Sequence, residues 1–237
     1  MLNNILNIDI SNLKLSTIIN KIIKKDNHVK KDINTLPLHY YFPYNKYINF
    51  TKLYIDNISK YSITLPKKAN SITKIILSNC IYINLDYNCK NIIITDATAG
   101  VGGNVLSFCK YNMIVNAVEI DKTRYKYLNY NINNYNYCVN TYNNNYIEIY
   151  DKLIQDIIFI DPPWGGMQYK QLNNIRLSFC DSDIEDFCNN ILKKNITKMI
   201  VLKLPYNYDL NYIKLKIKFR FKIVNLKNII LLLIFNH

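Results

Sequence analysis

The residues Asp156 to Gly166, Asp-Ile-Ile-Phe-Ile-Asp-Pro-Pro-Trp-Gly-Gly, constrain the fold more than any other stretch of the chain. Ile157, Ile158, Phe159 and Ile160 form a short continuous apolar run, the pattern of a parallel strand covered on both faces, and Pro162 forbids its ladder from continuing. Asp161 is thereby left at the strand's carboxyl end. Open α/β sheets bind their ligands outside that edge, so Asp161, Pro162 and Trp164 are expected to line a crevice rather than a core. Asp-Pro-Pro by itself equally describes a plain strand followed by a proline-rich turn.

A second signal lies upstream. Ile92-Ile93-Ile94-Thr95-Asp96 is another apolar run ending in an acid, followed by Ala97-Thr98-Ala99-Gly100-Val101-Gly102-Gly103-Asn104 and a helix-like segment from Val105 to Tyr111. Glycines in such a turn let the backbone approach a ligand closely, and the helix N-terminus adds unpaired N–H groups. Glu119 ends the next apolar run, Met113 to Val118, where an acid is placed to accept hydrogen bonds from a ribose diol.

Taken together, these motifs resemble the S-adenosylmethionine-dependent amino-methyltransferases, in which an Asp, Asn or Ser followed by Pro-Pro and an aromatic ends the fourth strand. Gly-Val-Gly-Gly-Asn (Gly100 to Asn104) with Pro-Pro-Trp-Gly-Gly (Pro162 to Gly166) resembles more narrowly the trimethylguanosine synthase family, which methylates the guanine N2 amine of 7-methylguanosine RNA caps. Tyr61-Ser62-Ile63-Thr64-Leu65-Pro66 is similar to that family's entry segment, and Leu204-Pro205-Tyr206-Asn207 to its Leu-Pro-Arg-Asn stretch. The likeness runs from about Tyr41 to the C-terminus.

The resemblance implies a Rossmann-like α/β fold, with a mostly parallel seven-stranded sheet closed by an antiparallel C-terminal hairpin. It implies S-adenosylmethionine as cofactor, bound by Ser62, Thr64, Asp96, Gly100, Gly102, Asn104, Glu119 and Asn145. It implies capped RNA as partner, with Asp161, Pro162 and Trp164 at the reacting amine and Lys46, Lys203 and Asn207 on the substrate. Three positions depart from the family pattern: Asp161 stands where Ser is commoner, Asn145 where an Asp accepts from adenine, and Tyr206 where an arginine contacts the cap triphosphate. Lys46 or Lys203 is expected to replace that arginine's charge.

A guanine N2 amine is a poor nucleophile because its lone pair is delocalised into the ring. Asp161 and the Pro162 carbonyl are expected to accept its two N–H bonds, and positioning of this kind is worth up to ~7–11 kcal/mol of barrier. Trp164, the one tryptophan of the chain, is expected to stack on the cationic base. Two other readings use the same letters: a guanine-N2 or adenine-N6 methyltransferase acting at internal RNA or DNA positions, and a non-catalytic RNA-binding protein with a methyltransferase fold.

A formal charge of +13 on 237 residues favours a polyanionic partner, and nucleic acid fits best. No apolar run reaches the roughly 18 residues that span a bilayer, and the N-terminus lacks a signal-peptide pattern. The six cysteines have no paired close spacing and the three histidines are scattered, which predicts reduced thiols, no metal and an intracellular setting, nucleus or cytoplasm, or the viral factory or virion of a viral protein. Richness in Asn, Ile, Lys and Tyr is the composition of an AT-rich genome, as in some protists and large DNA viruses.

In chain order, Leu2 to Lys25 reads as one or two amphipathic helices, and residues 1–45 are expected to form a helical extension and linker ahead of a methyltransferase domain over 46–237. Tyr40 to Tyr61 interleaves aromatics with Lys46, Lys52 and Lys60, a mixture that suits base stacking or plain packing. Helices are expected over Ala69 to Ser78 and Asp121 to Asn134, and strands near Val139 to Tyr142 and Met199 to Leu204. Ser182-Asp183-Ile184-Glu185 reads as a capping box opening a helix, and Tyr212 to Phe221 with Asn228 to Phe235 as the closing hairpin.

Overall fold

The computed structural model describes residues 36–85, 91–179 and 182–236. The expected helices of Leu2 to Lys25 lie outside the described residues. The helices are α1 (Leu38–Tyr41), α2 (Asn57–Ser62), α3 (Pro66–Asn79), α4 (Gly103–Lys110), α5 (Lys122–Asn134), α6 (Ile184–Lys193) and α7 (Leu210–Lys216). The strands are β1 (Ile93–Asp96), β2 (Ile114–Val118), β3 (Asn140–Tyr142), β4 (Ile157–Ile160), β5 (Ser178–Phe179), β6 (Ser182–Asp183), β7 (Met199–Pro205), β8 (Arg220–Leu226) and β9 (Ile229–Phe235).

Seven strands form one sheet in the order β3-β2-β1-β4-β7-β9-β8, and β5 pairs with β6 apart from it. Strands β1, β2, β3, β4 and β7 run parallel, while β9 runs antiparallel to both β7 and β8. The chain leaves β1 toward β2 and β3, then returns to place β4 on the other side of β1. That reversal opens a crevice outside the carboxyl ends of β1 and β4.

The apolar runs behave as two-sided strands. Along β9, Ile229, Leu231, Leu233 and Phe235 join one core layer and Ile230, Leu232 and Ile234 the other, as the period of two requires. The first layer packs under α3, α4 and α5 through Ile72, Ile76, Phe108 and Leu128; the second packs under α6 and α7 through Ile184, Cys188, Ile191 and Ile213. The edge strand β8 exposes Arg220 and Lys222, charges that discourage further strand pairing.

The sequence and the structure differ at three places. Pro37 to His237 form one compact unit, so the expected boundary at Lys46 falls inside it. Tyr41 and Phe42 are buried, and the Tyr135 hydroxyl donates to the Pro43 carbonyl at 2.5 Å. Tyr212 to Lys216 belong to α7 rather than a strand, because Asp209 accepts from the Tyr212 N–H at 3.0 Å and caps a helix there. The capping box does not form: Asp183 carries no side-chain cap bond, the Ser182 hydroxyl donates to the Phe179 carbonyl, and Glu185 is drawn inward to accept from the Tyr208 hydroxyl at 2.7 Å.

Candidate active site

Three carboxylates converge where three adjacent strands end. Asp96 closes β1 in register with Ala117 of β2 and Phe159 of β4; Glu119 follows β2 and Asp161 follows β4. Asp96 is fully buried, with one oxygen accepting from the Thr98 N–H at 3.1 Å and the other without a hydrogen-bond partner. Burial, then repulsion from Asp161 and Glu119, pushes its carboxyl up to about 8. Glu119 accepts from the Gly100 and Asp121 N–H groups, both at 2.8 Å, yet burial still holds it above the usual carboxylate range. Asn143 ties the β3 turn to the same place by donating to the Glu119 carbonyl at 2.8 Å.

Asp161 is held from two sides. Its N–H donates to the Thr98 hydroxyl at 2.8 Å, which links the β4 loop to the β1 loop. Its carboxylate receives the Lys203 ammonium at 2.5 Å, within a pair whose side chains are only 7 % and 17 % exposed. Burial raises the Asp161 carboxyl and the Lys203 charge opposes that rise. Lys203 also donates to the Thr64 hydroxyl at 2.9 Å and lies 5.1 Å from the centre of the Trp164 ring. The expected role of Lys203 on the cap triphosphate therefore does not fit its position: its ammonium is buried and engaged by Asp161 and Thr64. A lone lysine in the all-buried run Met199 to Pro205 is the signal that could have shown this, because a buried ammonium needs a buried acid.

Trp164 packs against both core layers and meets Tyr169 edge-on at 5.2 Å. Its indole N–H is buried without a partner. Asn104 sits in the first turn of α4, donating to the Thr64 hydroxyl at 3.2 Å with its side-chain oxygen unpartnered. Gly102 caps that helix at φ +102, in the left-handed region that favours glycine. Gly103, absent from the expected set although it lies in the quoted motif, is needed for close approach: a Cβ there would come 2.7 Å from Ile63 Cγ1 and 3.0 Å from the Thr64 carbonyl. Thr98 was likewise missed, being visible only as one more letter of the turn.

Other expected residues lie away from this cluster or serve it indirectly. Ser62 is exposed and its hydroxyl donates back to Ile58. The Lys46 ammonium rests over Tyr47, 4.9 Å from the ring centre. Asn145 caps the short turn Tyr146–Glu148. Asn207 donates to the Tyr169 and Leu172 carbonyls at 2.8 and 2.6 Å, so it fastens the loop that follows Trp164. Tyr206 stands half exposed at the rim. Among the described residues there is no group of three His, Cys, Asp or Glu arranged to hold a metal ion, and no helix is long and apolar enough to cross a membrane.

A switch-point crevice with an acid at the end of each of three neighbouring strands, a glycine turn and a Pro-Pro-Trp loop defines a Rossmann-like methyltransferase. The solved structures agree on the fold. A putative methyltransferase from Porphyromonas gingivalis superposes with a TM-score of 0.56 at 14 % identity, covering 78 % of this chain and 44 % of that one. The human methyltransferase 10 domain containing protein gives 0.53 at 11 % identity, covering 77 % and 88 %. Residues 91–229 match the family described as RNA cap guanine-N2 methyltransferase, and the chain belongs to that family. An uncharacterized protein of Acanthamoeba polyphaga mimivirus is 44 % identical over 189 residues, spanning 72 % of this chain and 74 % of its own length. Trimethylguanosine synthase of Schizosaccharomyces pombe is 26 % identical over 178 residues, spanning 70 % and 69 %.

Proposed function

We propose that the protein moves a methyl group from S-adenosylmethionine to the exocyclic N2 amine of 7-methylguanosine in RNA 5′ caps, with capped RNA in an intracellular or viral-factory setting as its partner. S-adenosylmethionine would supply an activated methyl on a sulfonium. Four features of the chain fit it: the unpartnered buried oxygens of Asp96 and Asn104, the Glu119 carboxylate and the glycine turn that precedes α4. Glu119 would accept the ribose hydroxyls, and Thr64 and Asn104 would hold the polar end of the same molecule. The Glu119 carboxylate and the acceptor oxygens of Asp96 and Asn104 suit a cationic ligand, and both the sulfonium and a 7-methylated guanine carry positive charge.

Asp161 and the Pro162 carbonyl would accept the two N–H bonds of the acceptor amine, turning its lone pair outward, and Asp161 would take the proton that leaves. The Lys203 charge favours the ionised form of that carboxylate against its burial and fixes its orientation. The unpartnered indole N–H and the ring face of Trp164 are a ready seat for a purine. The observation that carries the reading is Asp161 held by Lys203 beside Trp164.

Titration of intrinsic fluorescence tests it, because the chain has one tryptophan. A cation–π contribution of ~0.5–2 kcal/mol predicts quenching by 7-methylguanosine triphosphate at concentrations roughly tenfold below those of GTP. Equal quenching by both would favour methylation of internal guanines or adenines instead.

A further inference from the structure

A surface outside the crevice remains unused by this account. Segment Asn49 to Asp56 runs antiparallel along α5. Asn134 donates to the Asn49 carbonyl at 2.9 Å, the Asn131 amide bonds both backbone groups of Tyr54, and Arg124 pairs with Asp56 at 3.2 Å. Along this seam Tyr54 stacks on Tyr127, with ring centres 5.5 Å apart, and leans on Tyr130 at 4.9 Å. Tyr127 and Tyr130 share a helix face by their spacing of three. The cluster is not sealed: Tyr54 is 44 % and Tyr130 52 % exposed, and a cleft of about 480 Å³ opens beside them, lined also by Lys52, Asn133 and Asn134. That volume lies within the roughly 300–1,000 Å³ of small-ligand sites.

Within the two segments that build it, the charge has one sign. Neither Pro37 to Ile55 nor Lys122 to Ile147 contains an Asp or Glu, while Lys46, Lys52, Lys122, Arg124 and Lys126 fall within them. Asp56, the first acid after the segment, is neutralised by Arg124. Exposed tyrosine faces beside lysines and side-chain amides, with no carboxylate among them, suit bases and phosphates and not an acidic or purely apolar partner. The position also suits a substrate longer than a cap. The segment leads through α2 directly to Thr64, which holds Lys203, and Tyr130 lies about 9 Å along α5 from Arg124 by the helical rise.

We infer that the Tyr54–Tyr127–Tyr130 cluster with Lys52 is a binding platform for single-stranded RNA, engaging nucleotides beyond the one whose base enters the crevice. The inference rests on the proposed RNA substrate, and it is read without using the reaction. Anisotropy of a labelled, uncapped single-stranded RNA of about 12 nucleotides measures the platform; methyl transfer to a 7-methylguanosine dinucleotide cap measures the crevice.

Replacing both Tyr54→Ala and Tyr130→Ala is expected to weaken the oligonucleotide by roughly 10- to 100-fold, the loss of one to two stacked bases. Turnover of the dinucleotide should stay unchanged. Tyr130→Phe, which keeps the ring, should bind within about threefold of wild type. Lys52→Ala should lower the slope of log affinity against log salt by about 0.7, one phosphate contact on a single strand. Circular dichroism matching wild type establishes that the variants are folded. Unchanged oligonucleotide affinity in the folded double variant would overturn the inference and leave the platform to a protein partner. A wild type that binds the oligonucleotide but leaves the dinucleotide unmethylated would instead refute the cap reading alone.

Discussion

Replacing Lys203 with methionine removes the one cation that pairs with Asp161 among the described residues while leaving a side chain of similar volume in β7. The ammonium sits 2.5 Å from the carboxylate and the two side chains are 7 % and 17 % exposed. Removing one member of a buried pair typically costs ~3–5 kcal/mol. Partial solvent access favours the lower figure, and losing the lysine charge raises the Asp161 carboxyl further above the usual carboxylate range. Asp96 repels Asp161 and so pushes the same way, and Lys68 of α3, itself pushed down by burial and then by Lys203, is repelled by that lysine.

The sign follows from burial. The Asp161 carboxyl is already raised in the folded protein, so its contribution to stability is present below its unfolded value and lost as pH rises through the folded value. Lys203→Met raises the folded value further and extends that loss to higher pH. The variant should lie close to wild type in thermal unfolding near pH 4 and fall progressively behind toward pH 8. In turnover, the acid limb of kcat/KM should move to higher pH, because a protonated Asp161 accepts its N–H bond from the amine less well and has no room for the leaving proton. The double change Asp161→Ser with Lys203→Met should flatten both pH dependences. An acid limb that stays in place in a folded Lys203→Met protein would refute the assignment of Lys203 to Asp161.

The other expectations concern the cofactor side. Glu119→Ala should weaken S-adenosylmethionine binding by about one to two orders in calorimetry, since two hydroxyl bonds to a charged acceptor at ~1.5–3 kcal/mol each are lost before water compensates. Asp96→Asn should remove the decline in stability as pH rises toward the folded value of about 8, read as a flatter midpoint-against-pH curve, because the amide has no charge to bury. Gly103→Ala should cost about 1–3 kcal/mol of stability and displace Thr64, read as a lower unfolding midpoint together with weaker cofactor binding.

Strand ends were readable where an apolar run stops at an acid. Asp96, Glu119 and Asp161 each sit at the tip the pattern predicts, because continuous apolar runs bounded by breakers report parallel strands regardless of their partners. Tyr212 to Lys216 was misread as strand since its letters alternate, and the cap that makes it helical comes from Asp209, itself held by Arg176 at 3.0 Å far away in sequence. Glu185 looked like half of a capping box because local spacing says nothing of Tyr208, whose hydroxyl claims it. Lys203 looked like a surface cation for the same reason: its acid lies 42 residues upstream and becomes its neighbour only when β4 and β7 pair. Local chemistry was visible, whereas side chains satisfied across the sheet were not.

Incubation of the purified protein with S-adenosylmethionine and a 7-methylguanosine triphosphate-linked dinucleotide, followed by mass spectrometry of the released cap nucleoside, reports the proposed reaction itself. The account predicts a mass gain of one or two methyl groups on the 7-methylated guanine, absent with the unmethylated dinucleotide and abolished by Asp161→Ala. Methylation of the unmethylated dinucleotide at an equal rate, or of an internal base alone, would contradict it.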